Sequence, residues 1–214
     1  MTNIETIVLD ADNVLLEKIS PVIIELLTNL SKKTIAEVKR ARKKYWALTK
    51  IGEITEEENW LGAKGKEGYN QGVFGELSIP KENYSKFLEE IRNSYRIYDG
   101  CLNFLNELKL KGIRLYLFSN SSAETIERAY ITLNLKHYFK KAFFSHKIYA
   151  AKPSREAFSI LIKDTGLIPS ETLIVDDKKK NIIIAKELNF QTFLFTDKED
   201  YERILELLRE DSNE

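Results

Sequence analysis

The chain has 214 residues, 43% of them hydrophobic, with 33 basic and 33 acidic side chains. This length allows one sizeable core, alone or with a smaller second domain. The balanced charge gives no global field that would attract nucleic acid or an anionic membrane, so we expect neither as a partner.

The expected location of the protein is the cytoplasm. The single cysteine, Cys101, cannot form an internal disulfide, which fits a reducing compartment. Residues 1–20 carry no secretory signal pattern, and no apolar run reaches the ~18 residues needed to span a bilayer. The oligomeric state stays open at this point.

The first predicted element is a short buried strand, TIVLD at residues 6–10, whose apolar residues do not alternate with polar ones. Such a run is typical of a strand covered by helices on both faces. Residues 16–97 then have helical patterns throughout, with capping boxes at Thr34-x-x-Glu37 and Thr55-x-x-Glu58. We expect helices here at residues 21–30, 34–52, 57–70 and 82–98.

After the Asp99-Gly100 turn, helical and strand patterns alternate to the end of the chain. The predicted strands are at residues 114–120, 141–146, 172–177 and 191–195. The predicted helices are at residues 101–112, 121–135, 154–166, 181–190 and 197–210. A Ser121-x-x-Glu124 capping box opens the second of these helices, and Gly166 and Asn189 are placed to end the third and fourth in a left-handed conformation.

This order predicts an α/β fold with a right-handed, Rossmann-like parallel sheet flanked by helices on both faces. The helical residues 16–97 interrupt it between the first and second strands. We therefore expect a core domain of residues 1–15 and 98–214, and a helical cap domain of residues 16–97 inserted after the first strand.

Polar side chains stand where the predicted strands end, and in a parallel sheet these ends form the ligand-binding edge. Two acids follow the first strand, a hydroxyl and an amide end the second, a lysine precedes the helix after the third, and two acids end the fourth. These residues are Asp10, Asp12, Ser119, Asn120, Lys152, Asp176 and Asp177. Taken singly, each has a structural explanation as a turn residue, a helix cap or a surface lysine; their convergence on one edge indicates a site.

The charges suggest the chemistry of this site. Four carboxylates with one lysine would repel each other strongly unless a cation joined them, and clustered hard oxygens suit Mg²⁺. The ion and Lys152 could hold a phosphate, and Asp10 could attack phosphorus to form an aspartyl-phosphate. Asp12 faces like charges, which should raise its pKa and favour a proton that it can give to the leaving oxygen.

These motifs resemble the four motifs of the haloacid dehalogenase superfamily in its phosphatase branch. The matching residues are Asp10-x-Asp12-x-Val14, Ser119, Lys152-Pro153, and Asp176-Asp177 followed by Asn181. The helical residues 16–97 resemble the superfamily's cap of the first type. Asn13 departs from the pattern, since the family usually has Gly there, but Asn tolerates a positive φ angle.

The resemblance implies a role for each residue. Asp10 is the nucleophile, Asp12 the general acid and base, and Ser119 and Lys152, with Asn120, bind the phosphoryl group. Mg²⁺ takes the Asp10 carboxylate, the Asp12 backbone carbonyl and one acid of the fourth motif, either Asp176 or Asp177. We favour Asp177 because it lies four residues before Asn181. Asp176 then contacts these ligands without binding the ion itself, and Asn181 supports the loop.

The expected function is that of a Mg²⁺-dependent phosphatase acting on a small cytoplasmic phosphate monoester. A phosphomutase shares every motif, and a non-catalytic binding module on the same fold is a further alternative. A 2-haloacid dehalogenase needs no second acid in the first motif, so Asp12 argues against it. The basic run Lys178–Lys180 is interpreted as a solvated turn in preference to a contact with an anionic substrate.

Overall fold

A computed structural model describes residues 4–122 and 125–210 of the protein. Five strands form one sheet in the order β3-β2-β1-β4-β5, and all neighbours are parallel. The strands are β1 (Thr6–Leu9), β2 (Arg114–Ser119), β3 (Lys141–Phe144), β4 (Thr172–Asp176) and β5 (Gln191–Leu194). The predicted α/β class and all five predicted strands are confirmed, with strand ends one or two residues earlier than expected.

Helices cover both faces of this sheet, as the continuous apolar runs of the central strands predicted. They are α6 (Cys101–Leu110), α7 (Ile126–Thr132), α8 (Ser145–Ile148), α9 (Arg155–Thr165), α10 (Lys179–Glu187) and α11 (Asp200–Glu210). Neighbouring residues of β1 point to opposite faces: Leu9 packs in a core with Leu105, while Val8 packs in a second core with Phe158. The chain therefore buries β1 completely.

Between β1 and β2 the structure is helical, as predicted. The helices are α1 (Ser20–Ser31), α2 (Ile35–Thr49), α3 (Glu56–Leu61), α4 (Gly72–Glu76) and α5 (Tyr84–Ser94). Both predicted capping boxes form, at Thr34 and at Thr55. Edge-to-face contacts among Trp60, Phe74 and Phe87 build the interior of this helical segment.

The predicted length of α3 was wrong. The helix ends at Leu61 because Gly62 adopts φ 105°, and a Cβ there would lie 2.0 Å from the carbonyl oxygen of Asn70. The chain turns back at that point, with the N–H of Ala63 bonded to the carbonyl of Tyr69. The helix predicted at 82–98 is also shorter than expected and ends at Ser94.

The two connections of the helical segment run side by side. The N–H of Glu17 donates to the carbonyl of Arg96, and the N–H of Tyr98 donates to the carbonyl of Leu15. Leu16 and Ile97 form an antiparallel bridge between them. The helical segment thus enters and leaves the α/β part at one place, and the division into a core and a cap domain at residues 16–97 stays a prediction.

The helix ends in the α/β part agree largely with the sequence. Gly166 and Asn189 adopt φ 67° and 62°, as predicted. The predicted capping box of Ser121 and Glu124 lies partly outside the described residues, because these do not include Glu124. The helix α7 begins at Ile126. Among the described residues, no helix is both long and apolar enough to cross a membrane.

Candidate active site

The register of the sheet brings three carboxylates together at its carboxyl edge. Leu9 at the end of β1 pairs with Val175 of β4, so Asp10 and Asp176 follow at the same level on adjacent strands. Asp177 begins the next loop. One oxygen from each of Asp10, Asp176 and Asp177 lies within 4.8 Å of the others.

Lys152 joins two of these acids. Its ammonium nitrogen donates to Asp176 Oδ2 at 2.6 Å and lies 3.3 Å from Asp10 Oδ1, and it also bonds the carbonyl of Phe118. The side chain is only 2% exposed, so its charge needs these partners. Lys152 therefore fixes the position of the Asp10 carboxylate, whose Oδ1 also accepts from the N–H of Ala11 at 2.8 Å.

Asn120 holds the backbone of Lys152 from the neighbouring strand. Its amide oxygen accepts from the N–H of Lys152 at 2.9 Å, and its amide nitrogen donates to the carbonyl of the same residue at 2.8 Å. The side chain is thus occupied by the backbone of Lys152. Its predicted part in phosphate binding stays a prediction.

Asp176 has both oxygens engaged inside the protein. Besides Lys152, Asn181 Nδ2 contacts both oxygens at 2.8 and 2.9 Å, and the N–H of Lys178 donates to Oδ1 at 2.9 Å. Burial opposes the ionisation of Asp176, but the attraction and hydrogen bonds of Lys152 and Asn181 outweigh it and hold its pKa below the usual value. Asp176 therefore acts as the anionic partner of Lys152.

The other two acids each have an oxygen that faces outward from this network. Asp177 Oδ1 lies 3.1 Å from the ammonium of Lys178, and Asp10 Oδ2 lies 4.0 Å from it. Asp177 Oδ2 accepts from Asn13 Nδ2 at 3.3 Å. Asn13 adopts φ 64°, as expected for a residue in the place of Gly, and its Oδ1 accepts from the hydroxyl of Tyr98 at 3.0 Å.

This donor set fits a divalent cation. Apart from Asp12, three acids stand against the two lysines 152 and 178, which leaves an excess of one negative charge in a largely buried site. Carboxylate oxygens are the ligands that Mg²⁺ prefers. Of these acids, Asp10 and Asp177 each have an oxygen left for an ion, because the oxygens of Asp176 are taken.

Burial raises the pKa values of the two acids that follow β1, Asp10 and Asp12. Desolvation raises the pKa of Asp10 to about 6, although the charge of Lys152 works against it. The pKa of Asp12 is also raised, as predicted from the sequence. The main cause is desolvation, however, and the like charge of Asp177 contributes less.

The Asp12 carboxylate points toward the helical segment. Its Oδ1 accepts from the N–H of Ile19, where α1 begins, at 3.3 Å. The charge of Arg42, on α2, is close enough to interact with that of Asp12, and the neutral, buried hydroxyl of Tyr95 lies in the same region. Arg42 donates to the hydroxyl of Ser20 at 2.9 Å.

Ser119 occupies the predicted place at the end of β2 and is completely buried. Its hydroxyl has no hydrogen-bond partner within residues 4–122 and 125–210. Buried hydroxyl groups normally have a partner, and an unpartnered one at a site needs an explanation. A phosphoryl oxygen bound beside Asp10 would supply it.

Sequence reasoning missed two side chains at this site. Lys178 was interpreted as part of a solvated turn; Lys179 and Lys180 are exposed but begin α10, and Lys178 contacts the acids. Arg42 was hidden in the basic run of α2. Its spacing from the buried Val38 places it on the inward side of the helix, and this periodicity could have identified it.

Comparisons with known proteins agree with the geometry. A family model described as haloacid dehalogenase-like hydrolase matches residues 4–189. D-ribitol-5-phosphate phosphatase from Bacteroides thetaiotaomicron is 34% identical over 149 residues, which cover 58% of this chain and 72% of that protein.

Solved structures are similar over almost the whole chain. A HAD family enzyme from Bacteroides thetaiotaomicron has a TM-score of 0.78 at 20% identity, covering 95% of this chain and 99% of that one. The same enzyme in complex with magnesium and inorganic phosphate has a TM-score of 0.73 at 21% identity, covering 94% and 99%. At this level of identity, the likeness shows a shared fold.

Proposed function

This chain belongs to the haloacid dehalogenase-like hydrolases, and from that premise we propose that it is a Mg²⁺-dependent phosphatase. It hydrolyses a small phosphate monoester through an aspartyl-phosphate intermediate on Asp10. The observation that carries the proposal is the meeting of Asp10, Asp177 and Lys152, from three separate loops, around one point at the sheet edge.

Asp10 is suited to nucleophilic attack because its carboxylate is fixed. Lys152 and the N–H of Ala11 both hold Oδ1, which limits the orientations that the carboxylate can adopt. In the first half-reaction, a carboxylate oxygen of Asp10 attacks phosphorus and the bond from phosphorus to the substrate oxygen breaks. The hydroxyl of Ser119 donates to an oxygen of the phosphoryl group during this transfer.

Asp12 moves the proton. Its raised pKa increases the fraction that is protonated, and the protonated acid protonates the departing alkoxide. In the second half-reaction, water attacks the same phosphorus atom, Asp12 takes the proton of that water, and the bond from phosphorus to Asp10 breaks. Asp12 is thus returned to its protonated form for the next turnover.

Mg²⁺ would be held by the carboxylates of Asp10 and Asp177 and by the backbone carbonyl of Asp12. When bound, it supplies Lewis-acid polarisation of a phosphoryl oxygen and offsets negative charge. The other residues support this arrangement: Asp176 balances the charge of Lys152, and Asn181 and Asn120 hold these two in place.

In this proposal the helical segment contacts the part of the substrate that leaves. Arg42 and Tyr95 lie near Asp12, where the leaving group receives its proton, so the remainder of the substrate would contact them. Because one relative is a D-ribitol-5-phosphate phosphatase, polyol and sugar phosphates are the first esters to test. We place the activity in the cytoplasm, in line with the expectation from the sequence.

The test compares the wild-type protein with Asp10→Asn and with Asp99→Asn as a matched control, since Asp99 is 89% exposed on the surface. Phosphate release is measured with Mg²⁺ or EDTA on a panel that includes D-ribitol 5-phosphate, sugar phosphates and phosphoglycolate. Rapid quenching of a radiolabelled substrate traps the phosphorylated protein. We expect Mg²⁺-dependent release and trapping in wild type and Asp99→Asn, and neither in Asp10→Asn.

Other outcomes would replace the proposal. Transfer of phosphate to a second position of the substrate, without net release, would indicate a phosphomutase. Halide release from a 2-haloacid would indicate a dehalogenase. Full activity of Asp10→Asn would exclude covalent catalysis at that residue.

A further inference from the structure

We propose that Lys178 is a displaceable counter-ion that competes with Mg²⁺ for Asp10 and Asp177 and thereby sets the metal affinity of the site. The proposal rests on the metal site of the proposed function. The ammonium of Lys178 lies 3.1 Å from Asp177 Oδ1 and 4.0 Å from Asp10 Oδ2. It therefore stands at the two acids that would bind the ion.

The hydrogen bonds of the site identify the oxygens for which Lys178 and Mg²⁺ compete. Both oxygens of Asp176 are taken by Lys152, Asn181 and the backbone of Lys178. Asp10 Oδ1 is held by Lys152 and a backbone N–H, and Asp177 Oδ2 accepts from an asparagine amide. Among the contacts of the described residues, this leaves Asp10 Oδ2 and Asp177 Oδ1 for a cation, and both face the Lys178 ammonium.

The two lysines of the site differ in how they are held. Lys152 is 2% exposed and is enclosed by its partners, so its charge is a permanent part of the site. Lys178 is 42% exposed, although the acids that it contacts are nearly buried. An ammonium group on a flexible four-carbon chain can turn into solvent when a divalent ion takes its place.

The backbone of Lys178 allows this movement. The residue lies just before α10 with extended φ −104° and ψ 110°, and its N–H is bonded to Asp176 Oδ1. The side chain can therefore leave without a change in the loop that carries Asp177. With the ion absent, the ammonium keeps Asp10 and Asp177 from facing each other as unbalanced buried charges.

Removing the charge of Lys178 should therefore strengthen metal binding. One unit charge acting on two partly buried carboxylates contributes an effect of about tenfold in affinity. We expect Lys178→Gln to bind Mg²⁺ about ten times more tightly than wild type, and Lys178→Arg, which keeps the charge, to stay close to wild type. Lys179→Gln is the matched control, since the next residue carries the same charge but is exposed.

The experiment is titration of the metal-free, full-length proteins with Mg²⁺ in a calorimeter, with thermal unfolding in EDTA and in saturating Mg²⁺ as a second readout. Lys178→Gln should unfold at a lower temperature than wild type in EDTA, and the difference should vanish in saturating Mg²⁺. A structural role alone would lower the unfolding temperature in both conditions. An affinity of Lys178→Gln that equals or falls below that of wild type would overturn the proposal.

Asp177→Asn separates this inference from the proposed function. If wild type binds Mg²⁺ and Asp177→Asn does not, the metal site stands and the Lys178 variants decide the competition alone. If wild type binds no Mg²⁺, or if Asp177→Asn binds it equally well, the metal site of the proposed function fails and the competition fails with it.

Discussion

The two acids of the fourth motif should respond differently to the same substitution. We expect Asp176→Asn to destabilise the metal-free protein strongly and Asp177→Asn to have a small effect. The reason is the partner of each acid: Asp176 balances the enclosed Lys152, whereas Asp177 contacts the half-exposed Lys178. The substitution preserves size and removes one negative charge in both cases.

The magnitude follows from the contacts. In Asp176→Asn, the Asp10 carboxylate at 3.3 Å is the remaining anionic partner of Lys152. The new amide N–H₂ also faces Lys152 or Asn181, which are donors that bond a carboxylate in the wild-type protein. Breaking a buried pair from one side costs about 3–5 kcal/mol. For a chain of this size, that loss corresponds to a fall of about 6–20 °C in Tm. Asp177→Asn removes the ion pair with the half-exposed Lys178, and such a pair contributes about 1 kcal/mol or less to the free energy of unfolding.

The assay is urea unfolding at pH 7 in EDTA, followed by circular dichroism, with both variants measured beside wild type. Mg²⁺ is kept out because ligand binding would add its own stabilisation to each protein. Equal losses in the two variants, or a loss in Asp176→Asn below about 1 kcal/mol, would refute the assignment of Asp176 as the partner of Lys152.

Two further predictions concern Asp10 and Ser119. Because burial raises the pKa of Asp10 to about 6, the folded metal-free protein should lose stability as pH rises from the ordinary aspartate pKa through 6. Asp10→Asn should therefore stabilise it by about 1–3 kcal/mol at pH 7 and by much less at pH 4; urea unfolding at both pH values checks this, and no gain at pH 7 would contradict it. Ser119→Ala removes a buried hydroxyl without a protein partner, so we expect a change in unfolding free energy within about 1 kcal/mol. Its kcat/KM should fall by about 10²-fold, since a donor to the phosphoryl group is lost; a normal kcat/KM would show that Ser119 does not contact substrate.

The sheet and the meeting of its acids could be predicted from the sequence because one feature determines both. The apolar run of β1 ends immediately before Asp10, and the run of β4 ends at Asp176. In a parallel sheet with helices on both faces, the ends of adjacent buried strands lie at one edge. An acid that follows such a run in the sequence is therefore also placed at that edge in the folded protein.

The positions of long side chains could not be predicted in this way. Lys178, Lys179 and Lys180 are identical in the sequence, and only the first has its ammonium against the acids. The difference comes from the start of α10, which directs successive side chains to different sides. The length of α3 was missed for a related reason, since whether Gly62 ends or continues a helix depends on the return of the chain at Asn70.

The sequence correctly predicted that the pKa of Asp12 is raised, but it identified only the smaller of two causes. The sequence shows only neighbouring charges, so repulsion was the available explanation, whereas burial is the larger contribution in the structure. Burial depends on the helical segment that covers the site, where Arg42 and Tyr95 lie near Asp12. In the proposed function the proton affinity of the acid therefore depends on the segment that would contact the leaving group, and opening of that segment would lower the pKa of Asp12 as water enters.

The placement of charge explains why the site keeps two lysines for its four acids. A third lysine would neutralise the cluster more fully but would occupy the oxygens that a divalent ion needs. Lys152 gives a fixed charge that holds Asp10 in position, and the same contact occupies an oxygen of Asp176. Lys178 gives a second charge that can leave. The excess of one negative charge among Asp10, Asp176 and Asp177 opposes folding of the metal-free chain, and carboxylate oxygens of this kind are the ligands that a divalent cation such as Mg²⁺ prefers.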